Sequence, residues 1–236
     1  MCKTCGCSGS HSHRPFEPVT SRISIETDLL AKNDRLAGSL RARFERGRVG
    51  AVNLIGSPGA GKTTLIEKTI GQMRDVPIAV IEGDQATDRD ARRIAATGAR
   101  VRQVNTDAGC HLDADMIARA ADELDVAARS LLVIENVGNL VCPALFDLGE
   151  RAKVVVISLT EGDDKPLKYP HVFRAATVMV LTKMDLAPHL DVEPSRYVEH
   201  ARQINPRITV FPVSATLGYG MDEWCGWLRT QVGDAR

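Results

Sequence analysis

Short apolar runs, mostly rich in β-branched residues, recur along the chain from Ala51 onward and alternate with stretches whose apolar residues fall at helical spacing. The runs cover residues 51–55, 78–81, 101–104, 131–134, 154–157, 178–181 and 208–211. Most lack the period-two alternation of a half-exposed strand, so they read as strands of a sheet covered on both faces, and such sheets are largely parallel. Between them the pattern predicts helices over 64–73, 89–97, 112–124, 195–204 and 221–232. Ahead of the first run, Leu29, Leu30, Leu36, Ala37, Leu40 and Phe44 mark an amphipathic helix over 27–44, ended by Gly47 and Gly50. The fold class that follows is α/β, a largely parallel seven-stranded sheet flanked by helices. Residues 1–20 differ: cysteines, Gly, Ser, His and Pro dominate, with too few apolar residues to build a core, which reads as a flexible tail.

Composition narrows the function classes. A chain of 236 residues suits one α/β domain with short additions. Thirty basic and thirty acidic residues cancel, which removes the electrostatic case for generic nucleic-acid or membrane-surface binding. No apolar run approaches the roughly 18 residues that span a bilayer, and no signal-peptide core is present, so a cytoplasmic location is expected. In a reducing compartment, clustered cysteines suggest metal ligation before disulfides.

The strongest local pattern is Gly56-Ser57-Pro58-Gly59-Ala60-Gly61-Lys62-Thr63, between the first strand and the first sheet-flanking helix. Gly-x-x-x-x-Gly-Lys-Thr in that setting reads as a phosphate-binding loop rather than a chance glycine-rich turn. Backbone N–H groups wrap the phosphates, and side chains at Gly56, Gly59 and Gly61 would block the approach or the positive-φ turns. Lys62 is expected to reach the β- and γ-phosphates and Thr63 to place its hydroxyl on Mg²⁺; Thr64 follows at the helix N-terminus, whose dipole also favours the anion.

Residues at the carboxyl ends of the other strands are the next candidates. Glu135-Asn136-Val137-Gly138 resembles a nucleotide switch in which the Gly138 N–H senses the γ-phosphate and Glu135 supports Mg²⁺. Asp84, in Glu82-Gly83-Asp84-Gln85, is a second candidate for holding Mg²⁺ or orienting the attacking water. Either acid reads alternatively as a solvated strand-end carboxylate. With Lys62, these residues make the expected catalytic set. In Thr182-Lys183-Met184-Asp185 the carboxylate can accept from both N1–H and the exocyclic amine of guanine, a donor pair that adenine lacks. Ser214-Ala215-Thr216 resembles the loop whose backbone contacts the guanine oxygen. The order of the four pieces matches a G domain, here residues 21–236 with the amphipathic helix at its start. Asn139 stands where faster relatives carry a water-aligning Gln, so slow hydrolysis is expected.

Two sets of metal ligands are legible. Cys2, Cys5 and Cys7, beside the amino terminus and near His11 and His13, suit planar Ni(II) or tetrahedral Zn(II). Cys110 and His111 follow the third strand, and Cys142 lies four residues beyond Gly138, so the three are expected at the nucleotide edge of the sheet. Cys225, between Trp224 and Trp227, reads as core, and His171, His189 and His200 as isolated residues.

Together these motifs resemble the HypB family, the nickel-insertion GTPases of [NiFe]-hydrogenase maturation. The resemblance extends over nearly the whole chain, including Asp107-Ala108-Gly109-Cys110-His111-Leu112, Glu135 to Leu140 with Cys142-Pro143, and Thr160-Glu161-Gly162-Asp163-Asp164-Lys165. It implies a GTPase that uses GTP and Mg²⁺, forms a GTP-dependent homodimer, binds Ni²⁺ at the N-terminal cysteines, and holds Ni²⁺ or Zn²⁺ at Cys110, His111 and Cys142. The implied partners are a HypA-type metallochaperone and the hydrogenase large subunit. Lys165 and Lys168 are candidates to reach the phosphates of a second subunit. Two departures stand out: Thr182 replaces the usual Asn, and the histidine-rich insertion of some relatives is reduced to His11 and His13, which favours delivery over storage. The alternatives are a urease-accessory-type GTPase, a nucleotide-regulated nickel or zinc buffer, and a small-molecule kinase.

Overall fold

Each of the seven apolar runs becomes a strand: β1 (Gly50–Ile55), β2 (Ile78–Asp84), β3 (Arg100–Asn105), β4 (Leu131–Glu135), β5 (Ala152–Ser158), β6 (Val178–Thr182) and β7 (Thr209–Pro212). The computed structural model describes residues 19–84, 87–106 and 109–233, and side chains from residue 28 onward. Cys2, Cys5, Cys7, His11 and His13 lie outside the described residues. Among the described residues all six strand pairings are parallel, in the order β3-β2-β4-β1-β5-β6-β7. Parallel neighbours need crossover connections, and these run through α2 (Lys62–Gln72), α3 (Arg89–Ala95), α4 (Ala114–Glu123) and α8 (Pro194–Ile204) and the short helices α5 (Cys142–Leu145), α6 (Lys165–Lys168) and α7 (Pro170–Ala175), while α1 (Val19–Gly47) precedes β1 and α9 (Met221–Gln231) follows β7.

The central strands β1, β4 and β6 are buried throughout, as continuous apolar runs require. The edges depart from that rule. On β3, Arg100, Arg102 and Asn105 are exposed, and Thr209 on β7 is exposed, because an edge strand has no neighbour on one side and charge there discourages pairing with another chain. Three apolar clusters cover the sheet. Leu65, Ile66, Trp224 and Leu228 pack on Val52 and Val133; Ala37, Leu40, Phe44 and Ile117 on Ala51 and Leu132; Phe173, Tyr197 and Ala201 on Val155 and Met179.

Helix α1 is longer than the 27–44 expected from its apolar stripe, starting at Val19 and running to Gly47. The sequence from Val19 to Ala37 holds neither Gly nor Pro, so nothing interrupts the helix on its N-terminal side. Burial of Leu40 and Phe44 contributes about 3–6 kcal/mol together and fixes α1 to the domain. The Asn33 amide clamps it further, donating to Asp147 O (2.8 Å) and accepting from Ala114 N at the start of α4 (2.9 Å). Among the described residues no helix is long and apolar enough to cross a membrane.

Candidate nucleotide and metal site

The loop after β1 turns sharply into α2. Gly59 and Gly61 sit at φ 77° and 92°, where a side chain is strained, and a β-carbon on Gly56 would collide with the Val156 carbonyl. Lys62 leads α2; its Nζ lies 3.0 Å from Gly56 O and 3.3 Å from Ser57 O, across the mouth of the loop. Burial lowers the Lys62 pKa, opposed chiefly by the Glu135 charge. The neighbouring Thr63 hydroxyl donates to Glu135 Oε1 at 2.9 Å, so two of the three residues expected at Mg²⁺ are already together. Thr64, one position on, accepts from Arg93 through its hydroxyl (3.1 Å).

Glu135 closes β4 and stands in register with Glu82 on β2. Both are almost wholly buried, at 4% and 3% exposure. Burial pushes Glu135 up to about 7, with Lys62 pulling the other way, and burial followed by the Glu135 charge pushes Glu82 up to about 8. One oxygen of each, Oε2, is buried with no hydrogen-bond partner among the described residues. A hydroxyl beside buried carboxylate oxygens with spare lone pairs fits Mg²⁺, a hard cation that takes oxygen ligands. Glu82 was not among the sequence candidates because its side chain follows Val80 and Ile81 inside an apolar strand; an acid in that position was the available signal. Asp84, two residues on, lies nearer the rim, where its Oδ2 accepts from Thr87 N (3.2 Å) and Thr87 Oγ1 (2.8 Å).

On the other flank, Thr182 ends β6. Its buried hydroxyl lies 2.6 Å from Ala60 O and 3.2 Å from Ile157 O, so its proton goes to the phosphate loop rather than outward to a base. Thr182→Val keeps the shape but leaves that buried carbonyl without its donor, at a cost of about 1–3 kcal/mol. A fall of several degrees in Tm is expected in thermal unfolding by circular dichroism. An unchanged Tm would mean the carbonyl has another donor. Asp185 follows in a 3₁₀ turn, Met184–His189, and its Oδ1 accepts from Ser214 Oγ at 2.6 Å. Ser214 is fixed in turn by its N–H to Tyr219 O (2.9 Å), with Ala215 next along the same loop. Lys183 adopts a left-handed conformation (φ 60°) and reaches Thr160 Oγ1 at 3.4 Å.

Gly138 rests on the phosphate loop: a β-carbon there would lie 2.8 Å from Pro58 Cγ. From this point the chain passes directly to Cys142, the first residue of α5. Ligand atoms of Cys110, His111 and Cys142 lie within 4.8 Å of one another, close enough to share one ion. Cys110 Sγ is 3.6 Å from His111 Nδ1, and the His111 ring stacks on Phe146 with centroids 3.8 Å apart. Burial lowers the His111 pKa, opposed by Asp113, which favours the neutral imidazole a metal needs. A hydrogen bond with Cys142, then burial, raises the Cys110 thiol. Two thiolates and an imidazole suit Ni(II) or Zn(II) and leave room in the shell for a further ligand.

The switch and the metal loop are joined by two amides that the sequence reading passed over or gave another role. Asn136 Oδ1 accepts from Val137 N (3.0 Å) and Leu112 N (3.4 Å). Asn139 accepts from Val141 N (2.8 Å) and donates to Cys110 O (3.4 Å), so its amide faces the metal loop instead of aligning water. Cys225 is core, as its setting suggested: it is buried beside Gln72, and burial pushes its thiol up to about 11. Lys165 lies 3.6 Å from Glu161 and Lys168 2.6 Å from Asp164, both engaged within the chain. A cavity of about 1030 Å³ opens at the opposite end of β1, between α1 and α9, and touches none of these groups.

Residues 50–212 match the CobW/HypB/UreG nucleotide-binding domain. The chain is 54% identical over 225 residues to the hydrogenase maturation factor HypB of Azotobacter chroococcum mcd 1, covering 95% of this chain and 74% of that protein. Its fold superimposes on HypB from Archaeoglobus fulgidus with a TM-score of 0.79 at 39% identity, over 85% of this chain and 98% of that one. HypB from Helicobacter pylori, solved in complex with nickel, gives 0.79 at 32% identity, over 87% and 99%. Sequence shared over nearly the whole length and a common fold lead to one assignment: the chain belongs to the HypB family of hydrogenase maturation factors.

Proposed function

We propose that the protein is a slow, Mg²⁺-dependent GTPase that couples its nucleotide state to the holding and release of nickel during [NiFe]-hydrogenase maturation. The observation that carries this reading is the continuity of one short segment. Glu135 meets Thr63, Gly138 rests on Pro58, Asn139 bonds to Cys110 O, and Cys142 joins Cys110 and His111. A shift at Gly138 therefore moves a metal ligand four residues away.

In this reading Lys62 contacts the β- and γ-phosphates, the Gly138 N–H follows the γ-phosphate, and Asp84 orients water. Mg²⁺, held by Thr63 and Glu135, supplies charge neutralisation at the phosphates. Asp185, with Ser214 and Ala215, holds guanine. Nickel is the cargo; Cys2, Cys5 and Cys7 form one binding site, and Cys110, His111 and Cys142 a second that takes nickel or zinc. GTP closes a cytoplasmic homodimer that receives metal from, or passes it to, a HypA-type metallochaperone on the way to the hydrogenase large subunit. Membership of the maturation family supports a role among maturation partners.

The test uses the full chain with Cys2, Cys5 and Cys7 replaced by Ala, so that only the second site binds. Nickel affinity measured with GDP and with a non-hydrolysable GTP analogue should differ by about tenfold, within the usual 1–3 kcal/mol of coupled sites. Equal affinities would remove the coupling. Several labile metals per wild-type chain without GTP turnover would favour a buffering role.

A further inference from the structure

We propose that Glu82 belongs to the magnesium site, supplying beside Glu135 a second buried carboxylate that steadies the cation through its bound water. This rests on the GTPase reading above and adds a residue to it. Parallel strands in register set Glu82 and Glu135 on the same face, about 4.8 Å apart in backbone spacing. Two acids side by side in a dry site repel one another and lose their hydration, an arrangement that a strand of Val80 and Ile81 would not need for packing.

Among the described residues nothing satisfies the pair. Thr63 donates to Glu135 Oε1 alone, and Lys62 donates to the Gly56 and Ser57 carbonyls. Oε2 of Glu82 and Oε2 of Glu135 are both buried and have no hydrogen-bond partner among the described residues. An unsatisfied carboxylate oxygen at this depth calls for a cation or for donors such as metal-bound water. Mg²⁺ provides both, because it gives up its waters reluctantly and those waters need acceptors. Asp84, by contrast, already accepts twice from Thr87 at the rim.

The test compares wild type and Glu82→Gln in the full chain, following fluorescent GDP binding as Mg²⁺ is titrated. Glu82→Gln should raise the half-saturating Mg²⁺ about tenfold, the scale on which outer partners tune a metal. GDP affinity in EDTA should not fall, and Mn²⁺ bound in the GDP complex, read by electron paramagnetic resonance, should decrease in parallel. Glu82→Asp, which keeps the charge one methylene short, should fall between the two and carries the comparison if Glu82→Gln does not fold. A folded variant with the wild-type Mg²⁺ midpoint would overturn the assignment and leave the GTPase reading intact. A wild-type protein whose GDP binding ignores Mg²⁺ would overturn both.

Discussion

Asp185→Asn should transfer base preference from guanine to xanthine. The carboxylate accepts from guanine N1–H and its exocyclic amine; an amide offers one acceptor and one donor, so its NH₂ would meet an N–H of guanine. Xanthine has a carbonyl where guanine has the amine and restores the match. The Ser214 hydroxyl donates to Asp185 Oδ1 at 2.6 Å and holds the group in place without exhausting its lone pairs, so both ends of the side chain remain available to the base. Losing one hydrogen bond to a charged group costs about 1.5–3 kcal/mol, and an unmatched donor adds about 1–3 more. GTP affinity should therefore fall by roughly 10²–10⁴-fold. Thr182 cannot soften the loss, because its hydroxyl belongs to Ala60 O. Competition binding of GTP, XTP and ATP is the measurement. A variant that holds GTP within twofold of wild type, or gains ATP instead of XTP, would show that Asp185 does not read the base.

The fold was largely legible because buried parallel strands and helical stripes leave different periods in the sequence. Val52 to Ile55 could scarcely be anything but interior strand, whereas Arg100 and Arg102 on β3 sit in the same sheet without the same pattern, since an edge needs charge. The phosphate loop was legible for a different reason: Gly59 and Gly61 meet a backbone demand that few other sequences satisfy. What the sequence concealed were interactions between distant segments. Nothing in Thr182-Lys183-Met184-Asp185 says that the first residue faces Ala60, or that Asn136 and Asn139 reach the loop bearing Cys110. Glu82 was hidden by the opposite effect: its neighbours are so apolar that the strand pattern absorbed it, and only the pairing with Glu135 exposes an acid with nowhere to place its charge.

Cys142→Ala, made in the chain already lacking Cys2, Cys5 and Cys7, should remove most of the nickel or zinc affinity of the second site. Outer-shell partners of metal ligands are worth about 10–100-fold in affinity, so loss of one thiolate from a set of three should exceed roughly 100-fold. Cys142 is the cleanest of the three to remove. His111 also stacks on Phe146, and the Cys110 carbonyl holds Asn139, so those positions tie metal binding to local packing. At the first residue of the four-residue helix α5, Ala is tolerated without loss of a cap. Metal-free GDP affinity should therefore stay within about twofold, while residual metal binding should no longer depend on nucleotide, because Cys142 is the ligand that follows Gly138 along the chain. Cys225→Ala is the control: it removes a thiol buried beside Gln72, outside the cluster, and should leave metal affinity unchanged. Competition with a chromophoric chelator reads all three affinities. Wild-type affinity in Cys142→Ala would show that the thiol is not a ligand, and lost affinity with nucleotide dependence intact would place the coupling in the hydrogen bonds that Asn136 and Asn139 make to the loop of Cys110, instead of in the Cys142 thiolate.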